Sequence, residues 1–155
     1  MSPEDRALCV VAAALLRRGR MLHHVSAGLA LLAILAMSAL ALLGPPHARL
    51  AIAGLCVILV AGLFETLLSA RIAVDADLFA ALAAGNLDLD GLDAALSRLG
   101  LMGGAKLGRP LDARLKGTFR LMKQQAACLA VQLAIMLALG SLAGLAAPFE
   151  WLPRG

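Results

Sequence analysis

One acidic side chain stands inside a long apolar stretch. Glu65 lies near the end of the run AIAGLCVILVAGLFETLL, which covers Ala51 to Leu68. A carboxyl group at the bilayer centre costs roughly 2.5 to 3.5 kcal/mol on insertion scales, so such a group usually faces a partner or a cavity. Three roles are open for it: a proton or ion site, an interhelical hydrogen bond, or an acid that reaches interfacial water about one turn away.

Other polar residues fall at a similar depth if the neighbouring apolar runs cross the same membrane. His24 and Ser26 lie where the first run begins, Gln125 opens the third run, and Gln132 follows on the same helical face. Amide groups in hydrocarbon seek partners on other helices, typically for about 0.6 kcal/mol each. The sequence therefore predicts an intramembrane polar cluster. In it, Glu65 hydrogen-bonds Gln125 or pairs with His24, which gives the bundle a titratable lock.

The sequence contains no arrangement of nucleophile, base and orienting acid that would indicate catalysis. Adjacent His23 and His24 point about 100° apart on a helix, so they are poorly placed to bind one ion. Asn86 to Gly91 matches the first half of an EF-hand calcium loop, but Ser97 stands at the twelfth position, where a bidentate Glu is required. We therefore expect neither an enzyme nor a bound metal or cofactor.

The composition indicates an all-α, polytopic membrane protein. Of the 155 residues, 61% are hydrophobic, and the mean hydropathy is +0.88, whereas about 45 to 50% apolar is usual in soluble domains. Three apolar runs, 25–44, 50–68 and 124–147, come close to the roughly 20 residues that cross a bilayer. The net charge of +4 does not indicate nucleic acid, because the basic residues flank the apolar runs instead of forming a separate module.

The first 20 residues predict a helix that is too short to cross the membrane. Ser2 is the expected N-cap, Pro3 the first helical residue, and an acid follows three positions after the cap. We expect residues 1–20 to lie at the membrane surface. A helix that packs against the rest of the protein fits the sequence equally well.

The remaining segments connect the three spans. Residues 44–46, Gly-Pro-Pro, end the first span, so the first two spans form an antiparallel hairpin. Residues 69–123 form a helical loop in which Arg71 and Asp75, four apart, can pair. Residues 148–155 form a short tail.

Basic residues are concentrated on one side of the predicted membrane. The opposite side carries only Arg49 and Arg154. Arg far exceeds Lys, which occurs only at 106, 116 and 123, and Ala, Gly and Leu abound, a composition typical of a GC-rich bacterial genome. In a bacterial inner membrane, the positive-inside rule places the N-terminus and the 69–123 loop in the cytoplasm and the C-terminus in the periplasm. Seven cations beside the spans are expected to contact lipid headgroups: Arg17, Arg18, Arg20, Arg114, Lys116, Arg120 and Lys123.

The third span presents two different faces. One face carries Gln125, Cys128, Gln132 and Met136. The opposite face carries small residues, which permit close helix approach, and glycines with a GxxxG spacing follow it: Ala126, Ala130, Ala134, Ala138, Gly140 and Gly144. We expect the glutamine face to pack within the chain and the alanine face to contact another protein.

These features favour a protein that acts by binding. The leading hypothesis is an accessory, assembly or regulatory subunit of a membrane complex, including an immunity-type protein, whose partners are membrane lipids and either another membrane protein or a second copy. The alternative is a small homo-oligomeric transporter or pore former in which Glu65 lines the path.

Overall fold

The computed structural model describes residues 1–43, 48–100 and 108–146, and every regular element in these ranges is an α-helix. The helices are α1 (Pro3–Arg17), α2 (Gly19–Leu43), α3 (Ala48–Ala83), α4 (Leu89–Arg98) and α5 (Leu111–Ala146). Three stretches, one each in α1–α2, α3 and α5, are long and apolar enough to cross a membrane. The prediction of an all-α, multi-pass membrane protein is therefore confirmed. The predicted turn at 44–46 and the predicted tail at 148–155 lie outside the described residues.

The N-terminal helix packs lengthwise against α3. Ser2 and Asp5 form a reciprocal capping box, with N–H to oxygen distances of 3.0 and 3.1 Å. One side of α1, including Cys9 and Leu16, is buried in a cluster with the second half of α3, including Phe79 and Leu82. Packing against α3 is the alternative that the sequence left open, and contact of α1 with the membrane surface stays a prediction.

Two long helices connect two halves of the molecule. α3 and α5 have 36 residues each, or about 54 Å, against roughly 30 Å for the hydrocarbon layer. We call α2 with 48–68 and 124–146 the apolar half. We call α1, 69–83, α4 and 111–123 the charged half. Each half has its own buried cluster, centred on Ile58 in the apolar half and on Ile72 in the charged half.

The α1–α2 pair runs parallel to α5. Gln125 contacts the start of α2 at Gly19, and Gln132 contacts α2 at Ser26. Both contacts join residues that are 106 positions apart. α2 and α5 therefore stay aligned residue for residue over the two turns between these contacts.

α3 runs antiparallel to α2 and α5 and approaches α5 closely. Glu65 is level with the start of the third span, and Ile58, seven residues earlier in α3, is level with Gln132. Gly62 lies between them, and a Cβ atom there would come within 2.8 Å of the Gln132 amide nitrogen. A glycine at this position therefore makes room for the polar side chain of the facing helix.

Within the charged half, a polar contact joins α3 to α5. Asp75 accepts a hydrogen bond of 2.7 Å from the Thr118 hydroxyl. In the described part of the chain, Arg71 and Asp75 form no ion pair, so the predicted pair is absent; one oxygen of the Asp75 carboxylate accepts from Thr118 instead. α3 ends at Ala83, and Gly85 then takes a positive φ of 74° that favours glycine.

Candidate functional site

The acid of the second span is fully buried and bonded to both neighbouring helices. The side chain of Glu65 is 0% exposed. Its Oε1 accepts a hydrogen bond of 2.7 Å from Gln125 Nε2, and its Oε2 lies 3.0 Å from Nδ1 of His23. The predicted hydrogen bond between Glu65 and Gln125 is therefore present. Of the three roles that the sequence leaves open for this acid, the structure contains the interhelical hydrogen bond.

The side chain of Gln125 connects all three helices of the bundle. Its Nε2 donates to Glu65 and also, at 3.1 Å, to the carbonyl oxygen of Gly19, so both amide hydrogens are used. Its Oε1 is buried and has no hydrogen-bond partner among the described residues. A Cβ atom at position 19 would lie 3.2 Å from this oxygen. The glycine at the start of α2 therefore leaves room for the amide.

A second polar layer lies deeper in the apolar half. The hydroxyl of Ser26 donates to Gln132 Oε1 at 2.7 Å, and Gln132 Nε2 donates to the carbonyl oxygen of Ile58 at 3.0 Å. All three residues are buried. This layer lies seven residues later along α2 and α5 and seven residues earlier along the antiparallel α3, and it contains no acidic side chain. Together the two layers form what we call the polar cluster.

The histidine partner of the acid differs from the prediction. His24 is exposed, whereas the His23 side chain is 31% exposed and contacts Glu65. The prediction of His24 was therefore wrong. The reason is helical phase: His23 and Ser26 are three apart and share a face, whereas His24 and Ser26 are two apart, or about 200° around the helix. That spacing was a signal available in the sequence.

The two faces of α5 point in different directions. Gln125 and Gln132 are 0% exposed, so the two glutamines pack within the chain as expected, whereas Cys128 of the same predicted face is only half-buried. The small residues on the other side are all exposed: Ala126, Ala130, Ala134, Ala138 and Gly140. Gly144 belongs to the last turns of α5. The contact of this alanine face with another protein stays a prediction.

Most of the predicted lipid contacts are exposed cations. Arg17, Arg18 and Arg20 surround the α1–α2 joint, and all are exposed. Among the described residues, Arg17 makes one loose ion pair, in which its Nη2 lies 3.9 Å from Asp77 Oδ1. On α5, Lys116, Arg120 and Lys123 are also exposed. Six of the seven predicted cations are thus free to meet lipid phosphates.

Arg114 is the exception, because it is committed to a contact within the protein. Its guanidinium pairs with Asp93 of α4, and its Nε donates to the carbonyl oxygen of Arg109 at 3.2 Å. Asp93 also accepts the backbone N–H of Gly108 at 2.7 Å. These bonds, from Gly108 first and then from Arg114, lower the pKa of the Asp93 carboxyl. The assignment of Arg114 to lipid headgroups was therefore wrong.

The hydrogen bonds of the polar cluster connect α2, α3 and α5 to one another. No protein-family model, curated protein or solved structure matches this chain. Within 1–43, 48–100 and 108–146, no group of three or more His, Cys, Asp or Glu side chains is placed to hold a metal ion.

Proposed function

We propose that this protein acts by binding, as an accessory, assembly or regulatory subunit of a membrane complex, including an immunity-type protein. The observation that carries the proposal is the alanine face of α5, which is exposed while the opposite glutamine face is buried. Small side chains on a membrane helix let another helix approach closely enough for extensive van der Waals contact. The alanine face is therefore the surface that we assign to a partner.

The geometry of the polar cluster favours this function over the alternative of a transporter or pore. Glu65 is enclosed by the helices of its own chain, and both carboxylate oxygens are bonded. A cavity of about 10 Å³, about the space of one water molecule, lies nearby at Gly19 and Ser69, and Glu65 does not line it. Copies that associate through their outer surfaces would not bring Glu65 to a path between them.

We further propose a bacterial inner membrane with the N-terminus and the charged half in the cytoplasm. The charged half holds the exposed cations Arg17, Lys116 and Arg120, and the exposed Arg18 and Arg20 lie at the α1–α2 joint on the same side. Short segments rich in Lys and Arg are retained on the cytoplasmic side. The opposite ends of α2 and α3 are the ends that we place toward the periplasm.

The test is affinity purification from native membranes in mild detergent, followed by mass measurement of the intact assembly. Wild-type protein should carry a defined partner of another sequence. Ala130→Leu/Ala134→Leu should release that partner, because two larger side chains separate the helices. The matched control Ala27→Leu/Ala39→Leu changes exposed alanines of α2 and should retain it.

Two results would contradict the proposal. Partner retention by the alanine-face variant would remove this surface as the contact. A homo-oligomer with no second protein would favour the transporter or pore, and flux into liposomes by the wild type and by Glu65→Gln would then decide whether the acid lines a path.

A further inference from the structure

An apolar groove runs between α3 and α5 on the outer surface of the apolar half. Val57, Val60 and Phe64 of α3 form one wall, and Ala127 and Val131 of α5 form the other. The groove has a volume of about 330 Å³. Its residues belong to the spans 50–68 and 124–147, so it opens toward the hydrocarbon of the bilayer.

Exposed cations stand at one end of this groove. Arg71 follows Phe64 by seven residues, or about two turns on the same face of α3. On α5, Lys123 precedes Ala127 by four residues, and Arg120 precedes it by seven. All three cations are exposed, and in the described ranges none of them forms an ion pair.

The antiparallel order of the two helices directs these cations toward each other. Helical side chains lean toward the N-terminus of their own helix. α3 begins at the far end of the apolar half, so Arg71 leans toward the groove. α5 begins in the charged half, so Lys123 leans away from the groove, toward the level of Arg71. By this geometry the two side chains extend toward a common level at the end of the groove.

We propose that the groove binds one anionic phospholipid from the surrounding bilayer. The phosphate is held between Arg71 and Lys123, with Arg120 beside them, and an acyl chain lies along Phe64 and Val131. A ligand with an anion at one end and hydrocarbon at the other matches a mouth with cations and apolar walls. This proposal does not rest on the protein partner proposed above. It goes beyond the expected headgroup contacts because it assigns Arg71 to the phosphate and places the acyl chain in the groove.

The test is native mass spectrometry of the purified full chain with phosphatidylglycerol and phosphatidylcholine that have identical acyl chains. The wild type should prefer phosphatidylglycerol. Arg71→Ala/Lys123→Ala should weaken phosphatidylglycerol binding about thirtyfold, as expected for two cations near a membrane surface, and leave phosphatidylcholine binding unchanged. The matched control Arg49→Ala/Arg98→Ala removes two exposed cations elsewhere and should have no effect.

A second pair of variants tests the acyl-chain part of the site. Ala127→Trp fills the groove and should weaken binding of both lipids, whereas Ala39→Trp on the exposed side of α2 should not. Arg71→Lys/Lys123→Arg keeps both charges and should keep the preference for phosphatidylglycerol.

Three outcomes would overturn the proposal. The first is equal affinity of the wild type for the two lipids. The second is binding that survives either the charge-removing or the groove-filling variant. The third is a co-purified protein that cross-links through Cys128, which also lines the groove, in place of retained lipid.

Discussion

Two glutamines of α5 offer a matched test of how the buried acid is held. Gln125 and Gln132 lie seven residues apart on one face, and both are 0% exposed. Each bonds both neighbouring helices. They differ in one partner, because only Gln125 donates to an acidic side chain, the carboxyl group of Glu65. Replacing each glutamine by leucine, which is similar in size, isolates that difference.

The expected losses of unfolding free energy follow from the bonds that each change removes. Gln132→Leu removes two neutral bonds, and at about 0.6 kcal/mol each in membrane proteins the loss is about 1.2 kcal/mol. Gln125→Leu removes one neutral bond to Gly19 and one bond to the carboxyl group of Glu65, which contributes about 1.5 to 3 kcal/mol when the acid is ionised. The loss at Gln125 should therefore be about 2 to 4 kcal/mol.

The assay is reversible unfolding in mixed micelles with rising SDS, followed by helical circular dichroism. Gln124→Leu is the control, since Gln124 is exposed beside the buried glutamine and should show little change. The double variant Glu65→Leu/Gln125→Leu should be more stable than Gln125→Leu alone, because it no longer contains a carboxylate oxygen without a donor. Equal losses for Gln125→Leu and Gln132→Leu, or additive effects in the double variant, would refute the reasoning.

Three other measurements bear on the packing, the charged half and the topology. Gly62→Ala should destabilise the bundle, because its Cβ would lie 2.8 Å from Gln132 Nε2. Gly28→Ala meets nothing within 4 Å and should stabilise the bundle by up to about 1 kcal/mol. Unfolding in SDS measures both variants, and a Gly62→Ala protein more stable than Gly28→Ala would contradict the reasoning. The Asp93 carboxylate should stabilise the protein fully above its ordinary pKa of 3.8, and this stabilisation should be lost as the pH falls through the lower pKa of the folded state. Asp93→Asn should remove this part of the pH profile of thermal stability, and an unchanged profile would contradict the assigned role of Asp93. A reporter fused after Gly155 should be active only in its periplasmic form, and cytoplasmic activity would overturn the orientation.

Local periodicity was sufficient to predict much of the bundle. The apolar runs gave the three long helices, because crossing a bilayer requires length and hydropathy that few soluble segments have. Helical spacing also separated the buried Gln125 and Gln132 from the exposed Ala130 and Ala134, because residues seven apart return to the same face. The hydrogen bond from Gln125 to Glu65 followed from their common depth.

Contacts that depend on tertiary packing could not be predicted in this way. The pairing of Arg114 with Asp93 joins α5 to α4 across 21 residues, and no periodic pattern relates the two positions. In the sequence, Arg114 and Lys116 are both basic residues shortly before the third span, but only Lys116 is exposed. The side of α1 that faces α3 likewise depends on how the joint at Arg18 directs the two helices.

The bond between Glu65 and Gln125 also has a consequence for biosynthesis, since it joins positions 60 residues apart. α2 and α3 leave the ribosome before α5, so at that stage the carboxylate has His23 beside one oxygen and no donor for the other. The nearest water lies about one turn away, at the membrane boundary. Insertion of α5 is therefore the step that gives the acid a donor within the bundle, and a nascent chain that stalls before Gln125 lacks that donor.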